Sequence, residues 1–141
     1  MSQSLKLSGD LGLLRVATAV PELRVADVSF NVKTIIELVT RAQVAGVQVL
    51  AFPEMALTGY TIQDLMQQQI LLSKAEEGLA KLLIASSCSN MLVIVGMPVS
   101  AGQKIFNCAA VMNAGRILGV IPKSLLPNYK EFYDERWFTP A

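Results

Sequence analysis

The stretch Val47-Gln48-Val49-Leu50-Ala51-Phe52-Pro53-Glu54 decides the fold. Its apolar run has the length of a buried strand, and Pro53, which lacks a backbone donor, ends it. Gly46 stands just before it, where a helix needs a left-handed residue to stop. That helix reads backward from Gly46. Val28, Val32, Ile35, Val39 and Ala42 recur at helical spacing, Lys33, Glu37 and Arg41 share another face, and Asp27 offers the N-cap. Residues 13–20, rich in Val and Ala and stopped by Pro21, predict an earlier strand. Strand, helix and strand make a β-α-β unit, which favours a parallel pair with a right-handed crossover. Residues 53–61 then form a loop at the carboxyl end of the second strand, where open α/β sheets place their chemistry.

Working outward, residues 62–87 are rich in Gln, Leu and Ala and read as a helical segment, broken near Gln68 or Gly78. Residues 91–97 predict a third strand, ended by Gly96 and Pro98. A turn centred on Gly102 leads to a fourth strand over 105–113. Ala114-Gly115 make a tight turn into a fifth over 116–121, so the last two strands form an antiparallel hairpin. Residues 122–141 read as a long ordered loop. The order β-α-β-α-β-β-β predicts an α/β fold with a mixed sheet and helices on one face. No closing element is evident at Thr139-Pro140-Ala141, so residues 1–141 read as a fragment.

Composition narrows the chemistry. The 141 residues suit one domain or part of one, and 52% hydrophobic against 16% charged residues exclude a disordered chain. Lys and Arg total 12 against 11 Asp and Glu, so no field draws in nucleic acid or an anionic membrane. The chain has no histidine, which rules out within it a Ser-His-Asp triad, a Cys-His dyad and any His-ligated zinc. Proton transfer falls to carboxylate, Lys, Tyr or Cys. Cys88 and Cys108 form no CxxC pair and read as buried, reduced thiols of a cytoplasmic protein, a disulfide being the alternative. Lys6, Gly9, Asp10 and Arg15 interrupt the first twenty residues, so no signal sequence is expected. No window reaches the ~18 apolar residues of a spanning helix.

Two charges stand beside prolines at strand ends. Glu54 follows Phe52 and Pro53, and its apolar neighbours would partly desolvate it, as suits a general base. The plain alternative is a solvated loop residue or one paired with a nearby Lys. Lys123 follows Pro122 and could stabilise an oxyanion or snorkel to solvent. Together they could present opposite charges into one cleft. Residues 126–138 crowd aromatics and charges in a way unlike a plain surface loop, so a substrate lid, an interface or a cap on the sheet edge are all open. Among the charges there, Glu131, Asp134 and Glu135 outnumber Lys130 and Arg136, against a nucleic-acid platform.

With these residues in place the chain resembles the nitrilase (carbon–nitrogen hydrolase) superfamily. The resemblance rests on Phe52-Pro53-Glu54, Thr58-Gly59-Tyr60, Ile105-Phe106-Asn107-Cys108-Ala109, Gly115-Arg116-Ile117-Leu118-Gly119, Pro122-Lys123 and residues 126–138. It runs in order over residues 13–140 and lies nearest the N-terminal glutaminase domains of glutamine-dependent NAD synthetases. It implies an α-β-β-α sandwich, of which this is the N-terminal part, and a Glu-Lys-Cys triad. Glu54 matches the base and Lys123 the residue that steadies the tetrahedral intermediate. Tyr129 falls where that branch contacts glutamine, with Tyr60 and Phe132 lining the pocket. Asp134 or Glu135 matches a supporting acid. The family's nucleophilic Cys lies beyond Ala141, and neither Cys88 nor Cys108 matches it.

The resemblance further implies L-glutamine as the small-molecule substrate and homo-oligomers built by sandwich pairing. No metal or cofactor is expected in this part; no Gly-rich phosphate loop follows any strand, against nicotinamide dinucleotide or ATP binding here. ATP and Mg²⁺ belong to a separate synthetase domain that would use the ammonia to amidate nicotinic acid adenine dinucleotide. The alternatives are a stand-alone amidase or carbamoylase, or a non-catalytic assembly module.

Overall fold

Asp27 starts the first helix, α1 (Val28–Val44), by accepting the Phe30 amide on its carboxylate at 3.0 Å. The helix stops in a Schellman motif. Val47 N–H reaches back to the Ala42 carbonyl and Gly46 N–H to that of Gln43, each at 3.0 Å. The expected inner face, Val28, Val32, Ile35, Val39 and Ala42, is buried throughout. The computed structural model describes residues 12–141, so the reading of Lys6, Gly9 and Asp10 as breaks in a leader falls outside the described residues.

On either side of α1 lie β1 (Val16–Thr18) and β2 (Val49–Ala51), paired in parallel. Two short 3-10 turns kinked at Gln63 (Tyr60–Gln67) and α2 (Gln69–Ala85) follow, then β3 (Leu92–Ala101), β4 (Lys104–Asn113), β5 (Arg116–Pro122) and a short 3-10 turn (Asp134–Arg136). The sheet runs in the order β1-β2-β3-β4-β5, parallel from β1 to β3 and antiparallel from there on. The mixed sheet and late hairpin are as expected. Ala114 and Gly115 both take positive φ, 47° and 73°, which gives the primed turn that matches strand twist.

Several expectations need correction. The first two strands are shorter than predicted. The third runs through Gly96 and Pro98 rather than ending there. β2 pairs with β3 only as far as Ile94, so Pro98 sits where β3 has a single neighbour and its missing N–H breaks no ladder on the open side. Of the two proposed helix breaks, Gln68 is real and Gly78 is not; Gly78 lies inside α2 against Val28 and Val32 of α1. Cys88 is exposed in the turn after α2 instead of buried in a helix. There the Ser86 and Ser87 hydroxyls turn back onto the Leu83 and Ile84 carbonyls and end the helix.

Both helices pack on one face of the sheet. Strand alternation sends Leu50, Val93, Val95, Met97, Ala110 and Met112 into the core beneath them. The register places Val16, Val49, Ile94, Val111 and Ile121 on the opposite face, where Val16 is 67% and Ile121 58% exposed. The described residues thus form one helical layer on one sheet, half of an α-β-β-α sandwich. Among them no helix is long and apolar enough to cross a membrane.

Candidate active site

Glu54 is placed by a backbone that has almost no room to move. Phe52 N–H bonds the Ile94 carbonyl at 2.9 Å, Leu57 N–H bonds Gly96 at 3.2 Å, and Thr58 and Gly59 close a turn on the Met55 carbonyl. Met55, Ala56, Leu57 and Thr58 are fully buried, which leaves the Glu54 side chain as the part of the turn that faces out. Gly96 lies directly beneath. A Cβ there would stand 2.6 Å from the Pro53 carbonyl oxygen and 2.7 Å from Glu54 Cα, so only glycine admits this approach.

Lys123 is fixed at the end of β5, where its N–H continues the ladder to the Asn107 carbonyl at 2.8 Å. Its ammonium lies 2.9 Å from Glu54 Oε1 and 3.1 Å from Asp134 Oδ2. The Asn107 side-chain amide donates to the same Glu54 oxygen. Asp134, only 3% exposed, also takes the Tyr60 hydroxyl at 2.5 Å. Its own position comes from the folded 127–139 segment. Asp134 N–H bonds Pro127, Trp137 and Phe138 N–H bond Asp134, and Thr139 N–H returns to Ile105. One connected chain results: Asn107, Glu54, Lys123, Asp134, Tyr60.

The charges act on one another. Burial works to lower the Lys123 pKa, but the hydrogen bonds to Glu54 and Asp134, and their charges, outweigh it and hold the ammonium above its ordinary value. Tyr60 is pushed well up, first by burial, then by its bond to Asp134 and by the charges of Asp134 and Glu54. Two hollows flank the chain. One of about 350 Å³ on the open side of the sheet holds Glu54, Asn107 and Lys123 against Phe52 and Ile121. The other, about 400 Å³, is lined by Tyr60 and Phe132 together with Gln63, Asp64, Asp134 and Arg136.

The predicted residues divide accordingly. Glu54, Lys123 and Asp134 meet, and Tyr60 and Phe132 line the neighbouring cavity. Tyr129 does not line it; it is exposed and meets Phe132 edge-on, with ring centroids 6.0 Å apart. Of the two candidate acids, Asp134 touches Lys123, while exposed Glu135 accepts from Asn128 at 3.1 Å. Cys108 follows Asn107, so alternation turns its thiol to the helix-covered face, where burial raises its pKa. A protonated inward thiol is not a nucleophile for this site. Asn107 was visible in the sequence only as part of a motif; its signal was a polar amide inside an apolar strand. Among the described residues no cluster of three or more His, Cys, Asp and Glu is arranged to hold a metal ion.

A sheet end carrying a carboxylate and an ammonium, under one helical layer, is the frame of a carbon–nitrogen hydrolase. Residues 15–136 match that family, and the chain belongs to it. The chain is 34% identical over 130 residues to the glutamine-dependent NAD(+) synthetase of Mycobacterium leprae, covering 92% of this chain and 19% of that one. It is 36% identical over 126 residues to the enzyme of the same name from Xanthomonas campestris, covering 89% and 22%. Among solved structures, a glutamine-dependent NAD(+) synthetase from Cytophaga hutchinsonii superimposes with a TM-score of 0.84 at 29% identity, covering 90% of this chain and 22% of that one. The chain therefore spans about a fifth of the length of these relatives.

Proposed function

We propose that these residues form the N-terminal part of a glutaminase domain, which hydrolyses the side-chain amide of L-glutamine and feeds the ammonia to ATP-dependent NAD synthesis in a longer enzyme. The observation that carries this reading is the Lys123 ammonium held between Glu54 and Asp134 at the end of the sheet. The relatives' names point to the same substrate.

The chemistry follows from the charges. A cysteine thiol from the remainder of the domain gives its proton to Glu54, and the thiolate attacks the amide carbon. The carbonyl oxygen gains the displaced electron pair and lies against Lys123, whose charge is secured by two carboxylates. The C–N bond then breaks, Glu54 returns the proton to the leaving nitrogen, and ammonia departs from a thioester. Glu54 deprotonates a water, which attacks the thioester; glutamate leaves and the thiol is restored. Asp134 acts as the supporting acid by keeping Lys123 aligned, with Tyr60 keeping Asp134 aligned. Tyr60 and Phe132 line the wall for the aliphatic part of glutamine, and Tyr129 borders it.

The test uses the full-length enzyme. Glu54→Gln and Lys123→Ala each abolish glutamine-dependent synthesis and leave ammonia-dependent synthesis near the wild-type rate, because both touch only the step that releases ammonia. Near-normal glutamine use by Glu54→Gln removes the assigned base. Equal loss with glutamine and with ammonia makes Glu54 a folding residue. Hydrolysis of simple amides or carbamoyl compounds in preference to glutamine moves the protein to another branch of the family.

A further inference from the structure

Glu54 is held on one oxygen only. Asn107 Nδ2 and Lys123 Nζ both donate to Oε1, and among the described residues no donor reaches Oε2. Asn107 is 4% exposed in β4, and a buried amide is costly unless its polar atoms are met. Its backbone carbonyl accepts the Lys123 N–H at 2.8 Å while its side-chain amide donates to Glu54. One strand residue therefore ties together both members of the charged pair.

We propose that Asn107 is a positioning residue for the acid–base pair: its side-chain amide and the Lys123 ammonium hold Glu54 by Oε1 and leave Oε2 as the oxygen that takes the thiol proton. The proposal rests on the reading of Glu54 as the base. In the step concerned the S–H bond breaks, its electron pair stays on sulfur, and a new O–H bond forms at Oε2. Lys123 alone cannot fix the carboxylate, because an ammonium on a four-carbon stem follows its partner as it turns. An amide on a rigid strand supplies the second point that sets the carboxylate plane. Gly96 fixes the third, because the backbone of Pro53 and Glu54 rests on it. With the plane set, Oε2 is held in one position beside the hollow that Glu54 lines.

The test is the Asn107→Leu variant of the full-length enzyme, read by steady-state glutamine hydrolysis. Loss of the donor lowers kcat by about 10- to 100-fold, the scale of a small misplacement of a reacting group. The KM for glutamine stays within about two-fold, since the binding wall is untouched. Asn107→Asp keeps the shape, removes the donor and sets a second carboxylate beside Glu54; it gives the same split and covers the case in which the Leu variant does not fold. Wild-type kcat in either folded variant overturns the proposal, and so does a change confined to KM. Glu54→Gln, run alongside, separates the two levels. If it retains glutamine use, the base assignment itself fails; if it is inactive while Asn107→Asp turns over normally, only the positioning role of Asn107 fails.

Discussion

At the scale of single residues, Tyr60 and Asp134 are the test of how the site is wired. Burial is the largest cause raising the Tyr60 pKa, ahead of its bond to Asp134 and the two negative charges. The folded pKa lies above the ordinary 10.0, so folding favours the neutral phenol. Its stability contribution is complete below pH 10.0 and is lost as pH rises above that value. In a phenolate absorbance titration, one component titrates above the ordinary value and disappears in Tyr60→Phe. Asp134→Asn moves that component down without restoring it fully, because burial remains. A Tyr60 that titrates normally in the wild-type protein would remove the bond from the site. A proline beside a charge at a strand end offered Glu54 and Lys123 as candidates but left their solvated readings open, and Pro21-Glu22 shows the same pattern; the family resemblance singled them out. The choice between Asp134 and Glu135 was not legible, because it depends on how the 3-10 turn rotates neighbouring side chains. Tyr129, which the resemblance put at the substrate, is exposed beside Phe132, a placement set by the fold of its loop.

At the scale of elements, helical spacing located α1, composition located α2 and apolar runs located the five strands, and local rules failed where a partner element decides. Pro98 signals a strand end in isolation, yet β3 continues because only one side of it needs donors there. Gly78 signals a break in isolation, yet it lies where α2 packs against Val28 and Val32 of α1. A Cβ at that position would lie 2.8 Å from Val32 Cγ2 and 3.0 Å from Val28 Cγ1. Ala is intrinsically better than Gly in a helix by about 1 kcal/mol, whereas overpacking costs roughly 1–3 kcal/mol. Overpacking wins because valine side chains are stiff and Val28 and Val32 are themselves buried. Gly78→Ala is therefore destabilising by about 1 kcal/mol in urea unfolding. The penalty shrinks when Val32→Ala is introduced first, because the 2.8 Å clash is gone and only the 3.0 Å approach to Val28 Cγ1 still opposes the propensity gain. A stabilising Gly78→Ala in the wild-type background would mean that α1 and α2 are free to move apart.

At the scale of the whole molecule, the sheet buries one face under α1 and α2 and leaves the other apolar and open. Val16, Ile94, Val111 and Ile121 lie on that open face by register, and the hollow holding Glu54, Asn107 and Lys123 opens at its edge. An exposed apolar surface of more than a few hundred Å² associates in water. The 141-residue chain on its own is therefore expected to scatter light as species heavier than its 15.3 kDa and to bind hydrophobic dyes. Ile121→Lys, which sets a charge on the edge strand of that face, lowers both signals; a monodisperse 15.3 kDa species with little dye binding would contradict the open face. The same geometry governs activity. Base and oxyanion stabilisation each contribute on the order of 10²–10⁴-fold, but both act on an attack that needs a thiolate. Cys88 lies exposed in the turn after α2, and Cys108 is buried, with strand alternation putting its side chain on the helix-covered face. The isolated chain accordingly releases no ammonia from glutamine in a coupled assay. Turnover that survives Cys88→Ser and vanishes in Cys108→Ser would show that β4 can present its thiol on the open face, and the division of labour between the two faces of the sheet would have to be redrawn.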